Sequence, residues 1–221
     1  MMARRGALQT LCSIATLLIG GCGMVGSRKS YRFRMTVEVE TPDGSIEGTS
    51  AYEVTAWNEF GLDPSGKVRR LSINGHALLL ELSGRTVYAL MRTSGAYPDI
   101  DFPTMSMAAL DPAFKNDWVE SADRIASGDG VRSPAEVARK DWPLMVSYVD
   151  ITNPTTVEVV DPDAIKVKRV LVETTKDSVG PAIGRRLPSF GATGFAEWYQ
   201  SLPYGDPRGV RHDDFLRTDP Q

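Results

Sequence analysis

Two cysteines and two histidines in 221 residues leave this chain poor in the side chains that usually hold transition metals or build nucleophile–base pairs. Both cysteines, Cys12 and Cys22, fall near the N-terminus. The rest of the chain therefore has no thiol for a disulfide, a zinc site or a thiolate nucleophile. Gly-x-Ser-x-Gly, a phosphate-loop Gly-Lys-Ser/Thr and EF-hand spacing are all missing. No excess of positive charge is present either: 25 Lys and Arg against 28 Asp and Glu give a formal charge of −3. A mildly acidic, mixed surface excludes the electrostatic footprint of a nucleic-acid binder. The one strongly apolar run, Ala7 to Ile19, is about 13 residues long, too short for the roughly 20 that a helical membrane span requires.

That run is informative for what surrounds it. Arg4 and Arg5 precede it, and Gly20, Gly21 and Cys22 follow. A basic start, an apolar stretch of 7–15 residues and small residues at a cut site are the parts of an export signal. Ile19-Gly20-Gly21-Cys22 resembles a bacterial lipobox, the recognition sequence of signal peptidase II. The resemblance implies cleavage before Cys22, a diacylglycerol on its sulfur and a further acyl chain on its amino group. More than one acyl chain meets the condition for stable anchoring. Gly23 stands where lipoproteins retained in the inner membrane commonly carry Asp, so the resemblance implies the outer membrane, facing the periplasm. The mature chain, without Arg4 and Arg5, carries a formal charge of −5.

Beyond the tether the dominant signal is alternation. Tyr31 to Thr41 places Tyr31, Phe33, Met35, Val37 and Val39 on one side and Arg32, Arg34, Thr36, Glu38 and Glu40 on the other, which predicts a half-buried strand. Pro42-Asp43-Gly44 is turn chemistry, and Ser45 to Trp57 alternates again, completing a hairpin with complementary charges across its solvent face. Lys67–Ile73, Ala77–Leu82 and Thr86–Arg92 read as further strands, with Ser83-Gly84-Arg85 as a turn. Leu78-Leu79-Leu80 lacks alternation, which predicts a strand covered on both faces. Gly95 to Pro112, broken by Pro98, Pro103 and Pro112, reads as a long loop. Asp117–Ala126 has helical spacing with Gly128 as its stop. Ser133-Pro134-Ala135-Glu136 has the form of a capping box opening a short helix. Leu144–Ile151, Thr155–Val160 and Lys166–Thr175 complete the strands, and Phe195–Leu202, capped by Thr193, reads as a last helix.

These elements predict an α+β fold: a largely antiparallel sheet of about seven strands with two or three short helices. The expected organisation is a signal peptide over 1–21, a lipid-anchored tether over 22–30, one domain over 31–203 and a polar, frayed tail over 204–221. The segments Tyr31–Gly44 and Asn153–Asp163 are similar to those of a group of proteobacterial proteins without an assigned activity. The likeness covers about half the chain, implies no activity, and leaves a shorter stretch between Asp163 and Lys166 than the group usually has.

Candidate chemistry is sparse. His76 follows the Asn74-Gly75 turn and reads as a surface residue, and His212 as a solvated one in the tail. The acid pairs Asp99/Asp101, Asp161/Asp163 and Asp213/Asp214 are more simply explained by turns, where Asp bonds its own backbone. Lys166–Arg169 and Gly184-Arg185-Arg186 read as solvated basic faces, and Gly191–Gly194 lacks the setting of a phosphate loop. Trp57, Trp118, Trp142, Trp198 and Tyr199 are core or rim residues, unless a subset is exposed as a binding patch. The expectation is an envelope protein anchored to the membrane through Cys22, with a non-catalytic binding or scaffolding domain and an envelope protein as partner. No cofactor, metal, catalytic residue or nucleic-acid partner is called for. The alternative is an envelope hydrolase using Asp99 or Asp101, or a serine with His76.

Overall fold

A computed structural model describes residues 28–59, 68–94, 101–130, 134–180, 183 and 186–218. Cys22 and the whole of the expected signal lie outside these residues. The fold is of the α+β kind, with ten strands among the described residues, all paired antiparallel. They form two sheets, of six and four strands, rather than the single sheet of about seven that the alternation predicts. The split has a local cause. The chain of β3 (Val68–His76) runs through Ala77 directly into β4 (Leu78–Leu82), so one nearly continuous stretch serves both sheets.

The larger sheet has the order β10-β3-β2-β1-β9-β6. At its centre β1 (Lys29–Thr41) pairs with β2 (Gly44–Glu59) through the expected hairpin, from Lys29↔Ala56 to Thr41↔Gly44. On the other side β1 meets β9 (Val167–Thr174), with a register shift at Glu38/Val39. The edges are two-residue strands, β6 (Ala135–Glu136) and β10 (Leu216–Arg217). Short edges offer little template for unwanted pairing. The smaller sheet has the order β4-β5-β7-β8, with β5 (Arg85–Thr93), β7 (Pro143–Tyr148) and β8 (Val157–Val159).

The period-two pattern sorts side chains as expected. Phe33, Met35, Val37 and Val39 are buried, and Phe33 stacks on Tyr52 with ring centroids 5.0 Å apart. On the outer face Arg32 pairs with Glu53, Arg34 with Glu173 and Asp177, and Glu38 with Lys168 and Arg169. The basic run at Lys166–Arg169 is thus answered by an acid on the neighbouring strand. Hydrogen bonds from Arg169, then Lys168 and Ser45, hold the Glu38 carboxyl down at about 2.

Two cores flank the smaller sheet. Val87, Ala89 and Met91 of β5 face the first core, shared with the larger sheet, while Tyr88 and Leu90 face a second. Leu78 and Leu80 join the first core and Leu79 packs on the second, as the missing alternation predicts. The second core is closed by Ile183, Val210 and Phe215, with Leu187, Phe190 and Trp198 packed against it.

The helices differ most from expectation. The stretch read as a proline-broken loop contains α1 (Phe102–Leu110), with Pro103 in its first turn, where a missing N–H costs nothing. Phe102, Met105, Met107 and Leu110 are all buried, so α1 has no polar face to reveal a helical period. By contrast α2 (Trp118–Ser127) is amphipathic, capped by the Asp117 side chain on the Glu120 amide and stopped by Gly128 at φ 82°. Ala135–Glu136, expected in a helix, pairs with Val172 and Leu171 of β9 instead. Only a single 3₁₀ turn, Arg139–Asp141, follows it. The capping-box pattern fails because backbone bonds to a sheet edge replace the helix; Ser133 itself is outside the described residues. The helix α3 (Phe195–Ser201) falls within the expected Phe195–Leu202, but its N-cap is Gly194 at φ 82°, not Thr193. The segment read as a frayed tail is folded: α4 (His212–Phe215) leads into β10, and Val210 and Phe215 are buried.

Candidate binding recess

Of the residues suggested for hydrolysis, Asp99 lies outside the described residues. Asp101 is exposed at the start of α1, where its side chain makes no capping bond. His76 is not a surface turn residue: it is buried at the β3–β4 junction, because β10 and Phe215 cover that end of the strand. A serine does lie beside it. Ser50 Oγ is 3.4 Å from Nδ1 and 3.5 Å from Nε2 of His76. The better bond, however, is from Ser50 Oγ to the His76 carbonyl oxygen at 3.1 Å. Nδ1 lies 3.0 Å from the Ala77 carbonyl oxygen, which can only accept, so this nitrogen carries the proton. The serine proton is therefore committed to backbone rather than to the imidazole. Both side chains are enclosed, and neither recess described below reaches them. This is a satisfied polar contact within the packed interior.

Of the other acid pairs, Asp161 and Asp214 each accept from a backbone amide. Asp161 Oδ1 accepts from the Asp163 amide at 3.0 Å, and Asp163 pairs with Arg139 at 2.6 Å. Asp214 is buried and accepts from the Arg211 amide at 2.8 Å, while Asp213 is exposed. Burial pushes the Asp214 carboxyl above its usual range, against that amide bond and the attraction of Arg92, Arg217 and Arg211. Among the described residues no group of three or more His, Cys, Asp or Glu is placed to hold a metal ion. Gly194 serves only as the N-cap of the seven-residue α3.

The sequence gives no motif for the feature that does stand out. A shallow recess of about 280 Å³ opens between α3, the turn before it and the start of α4. Its floor is aromatic: Phe190 from the turn, with Phe195 and Tyr199 from α3. Spacing of four places Phe195 over Tyr199 and Ala196 over Gln200 on one helix face. Trp198, off that face, packs instead on the second core. Phe190 lies edge-on to Phe195 at 5.5 Å and tilted to the buried Phe215 at 5.5 Å, which ties the recess to that core. At the rim stand Arg211 and His212. Arg211 Nε donates to the Tyr199 hydroxyl at 2.6 Å, which orients the guanidinium along the aromatic wall.

A second, more polar hollow of about 390 Å³ lies beside β7 and β8, between Arg139, Met145, Val159 and Pro207. Its cation is committed: Arg139 pairs with Asp163 and lies 4.1 Å over the Trp142 ring. The chemistry the first recess can perform is recognition, with apolar contact on its floor and a charged donor at its edge. Of its lining, sequence reasoning singled out Tyr199 and His212 and missed Phe190, Phe195 and Arg211. The helix-face spacing of Phe195 and Tyr199 was the available signal. Among the described residues no helix is long and apolar enough to cross a membrane. No protein-family model, curated protein or solved structure matches the chain.

Proposed function

We propose that this protein is a lipid-anchored component of the bacterial cell envelope, held at the outer membrane through acylated Cys22, whose α+β domain binds another envelope component without chemistry of its own. The observation that carries the binding half is the aromatic recess with Arg211 and His212 at its rim. An aromatic surface with a polar edge suits a site that is wet when free and dry when occupied. The anchoring half rests on the basic start, the short apolar run and Ile19-Gly20-Gly21-Cys22.

The fold is compatible with both halves at once. Seven residues after Cys22, β1 begins at Lys29, so full extension allows about 25 Å between anchor and sheet. Lys29, Ala56 and Leu71 lie abreast at that end of the larger sheet. Gly75 and His76, where β10 and hence α4 attach, are roughly 17 Å further along β3. The recess thus stands off from the anchored end. The test is fatty-acid labelling with membrane fractionation of the wild type beside Cys22→Ser. Label and membrane association lost in the variant are the expected result; a wild type that is unlabelled and soluble overturns the reading.

A further inference from the structure

Arg211 completes one hydrogen bond with its Nε and leaves its two terminal nitrogens without a bonded acceptor among the described residues. We propose that the recess captures the C-terminal residue of a partner polypeptide, one with an aromatic or large aliphatic side chain, its carboxylate bound by Arg211. The proposal rests on the reading of this domain as a binding module and names the chemistry it recognises.

Size comes first. About 280 Å³ falls just below the roughly 300–1,000 Å³ of pockets for drug-sized ligands and suits one large side chain with its carboxylate. Phe190, Phe195 and Tyr199 offer that side chain ring faces and edges. Charge comes second. A guanidinium binds a carboxylate best through two parallel N–H bonds, and the Nε bond to Tyr199 holds the plane of Arg211 for such a pair. The nearby acids do not compete directly. Asp214 is buried on the Arg211 amide, and Asp213 is turned to His212, 3.7 Å from its Nδ1. The third point separates a polypeptide end from a free amino acid. No carboxylate lines the recess, so a free ammonium would find no counter-charge, whereas the amide of a chain terminus needs only a neutral partner. Gln200, with a donor and an acceptor, is placed to be that partner.

The experiment is a titration followed by ¹H–¹⁵N correlation spectra of the full-length chain carrying Cys22→Ser. The probes are N-acetyl-L-phenylalanine, its uncharged amide, and free L-phenylalanine. Shifts confined to 186–201 and 209–215 are expected, with the N-acetyl acid bound about ten- to a hundredfold tighter than the amide. Free phenylalanine is expected to bind more weakly than the N-acetyl acid. Arg211→Gln should bring the acid down to the level of the amide, and Ala196→Trp, which fills the recess, should abolish binding of both. Absent or scattered shifts overturn the proposal. So do equal binding of acid and amide, free phenylalanine binding as tightly as the N-acetyl acid, or a preference that survives Arg211→Gln. Failure here with successful labelling at Cys22 removes the ligand and leaves the envelope location. Success here with failed labelling leaves the ligand and removes the location.

Discussion

Replacing Gly48 by alanine should destabilise the domain, and the reason lies in how the two sheets meet. Gly48 sits in β2 opposite Val37, buried where β4 crosses the larger sheet. A Cβ there would stand 2.7 Å from Leu78 Cδ2, 2.7 Å from the Leu79 carbonyl oxygen and 2.8 Å from Leu80 Cδ2. The leucine methyls can rotate away at some cost, but the carbonyl belongs to the strand and moves only if β4 moves. Overpacking of this kind costs about 1–3 kcal/mol. Alanine recovers about 0.5–1 kcal/mol of backbone entropy that glycine loses in a strand. The middle of each range leaves a net loss of about 1 kcal/mol, a fall in Tm of about 2–4 °C for a domain of this size. Urea titration of the full-length protein should show a lower midpoint at unchanged slope. Gly191, where an added Cβ meets nothing within 4 Å, is the control, and Gly191→Ala should stay within about 0.5 kcal/mol of wild type. A Gly48→Ala protein as stable as wild type would refute the close crossing of the sheets.

Three further outcomes follow from buried polar groups. Asp111, 4% exposed, accepts from Arg124 at 2.6 Å and joins the end of α1 to α2. Burial raises its carboxyl, but bonds from Arg124 and the Ala113 amide oppose that, and it is left lowered. Arg124→Leu strands that charge and should cost about 3 kcal/mol in chemical denaturation, whereas an unchanged midpoint would remove the pair from the account. The Tyr148 hydroxyl is buried without a hydrogen-bond partner among the described residues. Tyr148→Phe should therefore be neutral or more stable by about 1 kcal/mol, and a clear loss of stability would reveal an unseen partner. Glu38, held at about 2 against an ordinary 4.5, adds stability that is complete above its unfolded value and is lost as pH falls toward 2. Urea midpoints measured from pH 6 to 2 should fall less steeply in Glu38→Gln than in wild type, and parallel curves would contradict the assignment.

Strands were legible because their faces differ. Tyr31–Thr41 alternates buried and charged residues, and the structure pairs them as the alternation requires. Where both faces are covered the pattern vanished, and its absence at Leu78–Leu80 was itself informative. The same loss hid α1, whose nine residues Phe102–Leu110 are apolar nearly all round and carry Pro103. Ser133–Glu136 failed for the opposite reason: a convincing local signal was overridden by pairing with β9, a contact distant in sequence. The tail misled because Val210 and Phe215 are isolated apolar residues in a polar stretch, and their burial depends on the smaller sheet having an open second face. His76 became an interior residue by the same route, since β10 covers it. The recess was only partly legible: Tyr199 stood out, but its partnership with Phe190 and Arg211 is set by the packing of three separate segments. The division into two sheets could not be read from strands that each look alike in sequence.

The central claim is that the chain is cut and acylated at Cys22, placing the recess at a membrane. Intact mass of the protein purified from membranes tests it most directly. The account predicts a chain beginning at Cys22, with residues 1–21 gone and the mass of a diacylglycerol and an N-acyl group added. An unmodified polypeptide, whether starting at Met1, at Met24 or at another cut, would contradict it.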